Sequence, residues 1–251
     1  MRRTDGPTRV IYGVNPVKEQ LRGGEPLAEL WLAEGSRSGA LAELERQARE
    51  AGAQVKHAPR QKLDRLAGVD RHQGVVAVLE GAFRYAEVAD LLEAARAAGE
   101  PPLLVILDGV EDPQHLGAII RSAVAFGAHG VVIPRDRAVG VTSGAVKASA
   151  GVVARCRVAR VTNISRIIDE LKESGVWSVA LAADGERELG QLDLKGPTAL
   201  VLGSEGEGIR SLVRRNCDHG ARIGMVGQVE SLSVSAAAAV ALYEVARQRR
   251  R

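Results

Sequence analysis

From Leu103 onward the chain repeats one pattern, an apolar run followed by an amphipathic stretch, and few architectures accept it. LLVILD (103–108) carries no polar residue at alternate positions, which marks a strand covered on both faces rather than one with a wet side. Leu116, Ile119, Ile120, Ala123 and Val124 then fall at helical spacing, and Gly127 closes the stretch. VVI (131–133), residues 176–182 and residues 198–202 read as further buried strands. Ile164, Ile167, Ile168 and Leu171 mark the inner face of a helix capped by Thr162 or Asn163. An Ala-rich helix is expected over roughly 234–248. Strands alternating with helices in this way require a parallel sheet sandwiched between helices.

The first part of the chain is shorter-grained. Asn15-Pro16 opens a helix that Gly23-Gly24 stops, and 30–33 is a short strand candidate. Residues 41–51 form a charged amphipathic helix, 55–58 another strand, and GVVAVL (74–79) a buried one. The expected organisation is a small α/β domain over 8–80, a linker over 81–102 containing one polar-faced helix (81–100) and ending at Pro101-Pro102, and a second domain over 103–251.

A chain of 251 residues with 45% hydrophobic residues needs no disulfide or metal staple. Its two cysteines, Cys156 and Cys217, lie far apart with no metal-ligand spacing, so neither a disulfide framework nor a structural metal is expected. No signal-peptide core precedes the fold, and the run 235–243 is far shorter than the ~20 residues that span a bilayer. The expected setting is therefore cytoplasmic. Arginine supplies 28 of the 34 basic residues, and four of them (Arg247, Arg249, Arg250, Arg251) crowd the last five positions. The planar guanidinium suits phosphate, so a nucleic-acid partner is permitted. With only 3% aromatic residues, that partner is not held mainly by base stacking.

Parallel-sheet proteins bind ligands at the carboxyl ends of their strands, and three strand exits are unusual: GVEDPQHLG, GSEGEG and VGQVESLSVS. None contains G-x-G-x-x-G or G-K-[ST], which removes the common dinucleotide and NTPase readings. In the second exit, Gly203, Gly206 and Gly208 allow close backbone approach to a ligand and positive φ, Glu205 can meet a cation or hydroxyl, and Glu207 is placed to open a helix. A plain tight turn explains the same spacing equally well. In the first exit, Asp112 and Pro113 suit a helix start, Arg121 lies on the face of Gly117, and His115 is a first-turn residue. In the third, Ser231 and Ser233 are capping residues by default.

DPQHLGAIIRSA, ALVLGSEGEGIR and IGMVGQVESLSVS, in this order, resemble the three motifs of the SpoU (TrmH-type) RNA 2′-O-ribose methyltransferases of the SPOUT superfamily. RVIYGVNPVKEQL and RHQGVVAVL are similar to the small α/β substrate-binding domain fused ahead of the catalytic domain in that family. The resemblance implies a C-terminal parallel-sheet domain with a trefoil knot, a homodimer, and S-adenosylmethionine as methyl donor, contacted by Gly203, Ile223 and Leu232. It implies a ribosomal RNA partner, a guanosine ribose of 23S ribosomal RNA, with catalytic positions at Arg121, Glu205 and Ser231. An arginine with an intrinsic pKa above ~12 is a costly proton acceptor, so Arg121 is expected to grip phosphate or ribose and steady the developing alkoxide. The family usually carries Asn where this chain has His115 and Ser233. His115 could supply a titratable group in compensation. The competing expectations are a transfer RNA or antibiotic-resistance methyltransferase, and an RNA-binding assembly factor that has lost catalysis.

Overall fold

The computed structural model describes residues 9–23, 26–35, 38–79, 81, 83–227 and 231–250; Gly24, the closing Arg251 and residues 228–230 of the third motif lie outside these. The chain divides into two compact units. One comprises the described residues up to Arg84 together with Val141–Arg155, and the other Tyr85–Gly140 with residues 156–250.

The first unit runs β1 (Arg9–Tyr12), α1 (Val14–Gly23), β2 (Leu27–Ala33), α2 (Gly39–Glu50), β3 (Gln54–Ala58), α3 (Arg60–Ala67) and β4 (Val75–Leu79). Its sheet has the order β1-β4-β2-β3, with β2 parallel to β3 and antiparallel to β4. Tyr12, Trp31, Ala58, Leu63 and Val76 close one face. His72 is fully buried; its Nε2 lies 2.9 Å from Asp64 Oδ1 and its Nδ1 accepts the Gly74 N–H. That contact fixes the turn into β4.

The second unit runs α4 (Val88–Ala98), β5 (Leu103–Asp108), α5 (Pro113–Ala125) and β6 (Gly130–Pro134). After α6 (Ser143–Ala148) come β7 (Val158–Val161), α7 (Ile164–Glu173), β8 (Trp177–Leu181), β9 (Arg187–Glu188), β10 (Thr198–Gly203), α8 (Ser211–Asn216), β11 (His219–Arg222) and α9 (Val234–Arg249). The seven strands lie in the order β7-β6-β5-β10-β8-β11-β9, every neighbouring pair parallel. All six residues of β5 are buried, as its apolar run required. Asp112 caps α5 by accepting the Gln114 N–H, Asn163 caps α7, and Ser233 caps α9. The helix expected over 81–100 is confined to α4, whose Leu91 and Ala95 are fully buried in this unit.

Helix α6 belongs to the first unit although it follows β6. It packs on β1, with Lys147 Nζ 4.7 Å from the Tyr12 ring centroid, and the single 3-10 turn after it (Val152–Arg155) packs on α1. Gly151 makes the approach possible: a Cβ there would lie 2.4 Å from Pro16 Cα. Nothing in local periodicity distinguishes this excursion from an ordinary connection.

Candidate functional site

Strands β5 and β6 lead the chain in one direction across the sheet, while β8 and β10 build the other half. The order reverses beside β5, where the carboxyl ends leave a crevice. Parallel register sets Asp108, last of β5, directly beside Gly203, last of β10. The Asp108 side chain is fully buried. Its Oδ2 accepts the Arg210 backbone N–H at 2.9 Å, and its Oδ1 accepts Arg210 Nε at 2.8 Å and also Nη2. Beside that carboxylate the Arg210 guanidinium is held above its ordinary pKa. This clamp draws residues 203–210 back across the strand ends.

Gly203 is required by the loop itself: a Cβ there would fall 1.9 Å from the Gly208 carbonyl carbon. Ser204 and Gly208 exchange two backbone hydrogen bonds of 3.1 Å, and Ser204 Oγ accepts the Glu207 N–H. Two expectations change accordingly. Of the three loop glycines only Gly208 has positive φ (68°), and the space Gly203 leaves is filled by its own loop. Glu207 sits in the turn rather than opening a helix, because the clamp at Arg210 delays α8 until Ser211.

Around this loop the structure assembles most of the residues singled out from sequence. Glu205 Oε1 accepts the Val234 N–H at 3.3 Å, at the start of α9, and lies 3.1 Å from His115 Nε2. His115 Nδ1 is 3.2 Å from Ser235 Oγ, which is 3.3 Å from Ser233 Oγ. His115 thus ties the first turn of α5 to the glycine-rich loop and to α9. Ser231 does not cap the helix; it lines a cavity of about 380 Å³ together with Gly203, Glu205, Ile223 and Leu232. A second cavity of about 510 Å³ shares residues 204–208 with the first and is lined by His115, Arg137 and Arg210. The loop is therefore a partition between two clefts. Arg121 enters neither. It is exposed on α5, with no hydrogen-bond or ion-pair partner among the described residues.

Sequence reasoning missed Asp108 and Arg210; the signal was an Asp closing an otherwise wholly apolar strand. It also missed Asp184 and Arg214, an ion pair of 2.9 Å on the first cavity's wall. The Arg214 contact holds the Asp184 carboxyl below its usual range. Burial pushes the thiols of Cys156 and Cys217 up to about 12, so neither is a nucleophile near neutral pH. Among the described residues no group of His, Cys, Asp and Glu is arranged to hold a metal, and no helix is long and apolar enough to cross a membrane.

The first cavity has the features of a small-molecule site: apolar walls from Leu202, Ile223 and Leu232, a few polar groups, and a rigid glycine-rich rim. A nucleoside carrying a charged tail fits that donor set. The cavity lies at the carboxyl ends of a parallel sheet, which is where such folds hold their ligands. Residues 102–243 match the SpoU rRNA methylase family and residues 10–85 match the RNA 2′-O ribose methyltransferase substrate-binding domain, so the chain belongs to the SpoU methylase family. It is 43% identical over 239 residues to YacO of Bacillus subtilis, assigned to the TrmH family of tRNA/rRNA methyltransferases, covering 95% of each chain. It is 45% identical over 250 residues to an uncharacterized tRNA/rRNA methyltransferase of Mycolicibacterium vanbaalenii, covering 99% of this chain and 79% of the relative. Among solved structures, the SpoU methyltransferase AviRb from Streptomyces viridochromogenes with AdoMet superposes with a TM-score of 0.81 at 27% identity, covering 96% of this chain and 90% of that one. The AdoMet-bound rRNA methyltransferase from Sinorhizobium meliloti gives 0.77 at 25% identity, covering 96% and 87%.

Proposed function

We propose that this enzyme methylates the 2′-hydroxyl of a guanosine ribose in 23S ribosomal RNA, as a cytoplasmic homodimer whose catalytic domain is tied in a trefoil knot. The observation that carries the reading is the pair of clefts divided by residues 204–208. Leu202, Ile223 and Leu232 give the first cleft apolar walls for the donor's adenine, and His115, Arg137 and Arg210 give the second hydrogen-bond donors for a nucleotide. Gly203, Ile223 and Leu232 are the donor-binding residues, with Gly203 acting by shaping the rim.

S-adenosylmethionine, when bound, supplies a methyl group on a sulfonium leaving group, so alignment of the attacking oxygen supplies much of the rate. Glu205 is held by the Val234 N–H and faces His115. Glu205 is placed on the partition to take up the hydroxyl proton, with His115 bridging it to Ser235, while Ser231 hydrogen-bonds within the donor cleft and Ser233 and Ser235 keep His115 oriented. Arg121 acts as a guanidinium fork on the ribose or phosphate. Its position outside the clefts of its own chain supports a site completed by a second copy. Helix α9, which packs against α5, leaves Val240 and Tyr243 exposed, an apolar face suited to that contact.

The test is Arg121→Ala, assayed by methyl incorporation into ribosomal RNA, with donor binding followed by calorimetry. Methyl transfer is expected to fall by at least ~100-fold, the scale of a lost transition-state charge contact, with donor affinity unchanged. Normal turnover would refute the role of Arg121. Ribose-methylation mapping of ribosomal RNA with and without the enzyme identifies the nucleotide. A mark lost from transfer RNA instead would replace the ribosomal target.

A further inference from the structure

The ends of the sheet opposite the catalytic crevice carry a feature that methyl transfer does not use. Trp177, Thr198 and His219 are the first residues of β8, β10 and β11, which are neighbours in a parallel sheet, so all three stand at its amino edge. Trp177 is 55% exposed, although tryptophan is a residue that folding normally hides. One face of its indole stacks on His219, centroids 5.9 Å apart and planes 26° from parallel. The two rings wall a groove of about 300 Å³ whose floor includes the apolar Val179, Leu192 and Leu194 and whose rim carries Arg187 and Asp193.

The groove's own lining carries one charge of each sign, Arg187 and Asp193, and further cations adjoin it. Lys195 follows its lining residues Asp193 and Leu194, and residues 191–193 also line the adjoining surface with Arg247. Lys195 in turn shares a cleft with Arg250. Arg247 is paired with Glu244, but among the described residues no carboxylate pairs with the side chains of Arg187, Lys195 or Arg250. A flat exposed aromatic beside unneutralised cations is the combination that holds unpaired nucleic acid: the ring takes a base face and the cations take phosphates. We propose that this groove is a stacking site for an unpaired nucleobase of the RNA substrate, about 20 Å from the catalytic crevice across strands of five to six residues. It rests on the RNA-methyltransferase reading and adds a second point of attachment to it. Charge favours RNA over an apolar protein partner, since a protein interface of this size is normally depleted of Lys at its centre.

The test uses the full chain and a single-stranded 12-nucleotide oligoadenylate. Trp31 is buried and Trp177 exposed, so RNA that stacks on the groove quenches the accessible part of the tryptophan emission. Followed in every variant by the anisotropy of a fluorescein-labelled oligoadenylate, Trp177→Ala is expected to weaken binding on the order of tenfold and Trp177→Phe to restore most of it, because stacking on one ring contributes on that scale. Arg187→Ala is expected to lower the salt dependence by about one phosphate contact. With methylatable ribosomal RNA, Trp177→Ala raises KM and leaves kcat and donor affinity intact. Oligoadenylate binding equal in the wild type and Trp177→Ala, with the folded state of both verified by unchanged donor affinity, overturns the proposal. So does an emission change that follows protein concentration in the absence of RNA, which would make the groove a contact between copies. A chain that methylates no RNA yet shows Trp177-dependent quenching leaves the groove standing and removes the methylation reading instead.

Discussion

Replacing Arg210 with alanine is the sharpest perturbation of the partition between the clefts. Asp108 is a wholly buried carboxylate, and Arg210 supplies both a backbone and two side-chain donors to it. Removing one partner of a buried pair costs about 3–5 kcal/mol when both groups are dry. The Arg210 side chain is 45% exposed, so solvent already screens its outer half and the surviving backbone N–H retains one bond. The expected loss is therefore about 2–3 kcal/mol, or roughly 4–12 °C in the melting temperature for a chain of this size. Asp108→Asn keeps the shape and removes the buried charge, so it should cost only about 1–2 kcal/mol. In the double variant Arg210→Ala with Asp108→Asn no uncompensated charge remains, and its cost should fall below the sum of the two. Urea unfolding gives the three values, and calorimetry with S-adenosylmethionine should show weaker binding wherever the loop is released. A cost below ~0.5 kcal/mol for Arg210→Ala, or strict additivity in the double variant, would refute the claim that this pair holds the loop.

Gly203→Ala should cost about 2–3 kcal/mol and abolish donor binding, since its methyl group meets the Gly208 backbone; unaltered donor affinity would contradict that geometry. His115→Asn should preserve or raise methyl transfer, because Asn can still bridge Glu205 and Ser235 as donor and acceptor; complete loss would show that the imidazole does chemistry of its own. Burial alone would raise the Asp218 carboxyl, but the ion pair with Lys172 and bonds from the Ser178 N–H and hydroxyl hold it below its usual value. A depressed carboxylate stabilises fully above its unfolded pKa of ~3.9 and loses that contribution as pH falls through the folded value. The stability difference between pH 7 and pH 3 should therefore shrink in Asp218→Asn, and an unchanged difference in urea midpoints would rule the linkage out.

The sequence by itself determined the parallel sheet of the second unit. LLVILD and TALVL are continuous apolar runs covered on both faces, the helix whose inner face includes Ile164 and Leu171 follows the 3.6 periodicity, and both signals are local properties. Asp112, Asn163 and Ser233 were legible as helix caps for the same reason: a cap bonds within three residues of itself. It also marked Glu205, His115 and Ser231 as noteworthy, through motif order rather than through any visible contact. What joins them was decided elsewhere. His115 and Ser235 are separated by 120 positions, and Arg210 and Asp108 by 102, and no periodicity reports a pairing across such a span. Register decided it, by setting Asp108 beside Gly203 at one edge of the sheet. The excursion of residues 141–155 into the first unit depends on the missing Cβ of Gly151 against Pro16. Such a contact exists only after both segments have folded, so only the tertiary structure could reveal it.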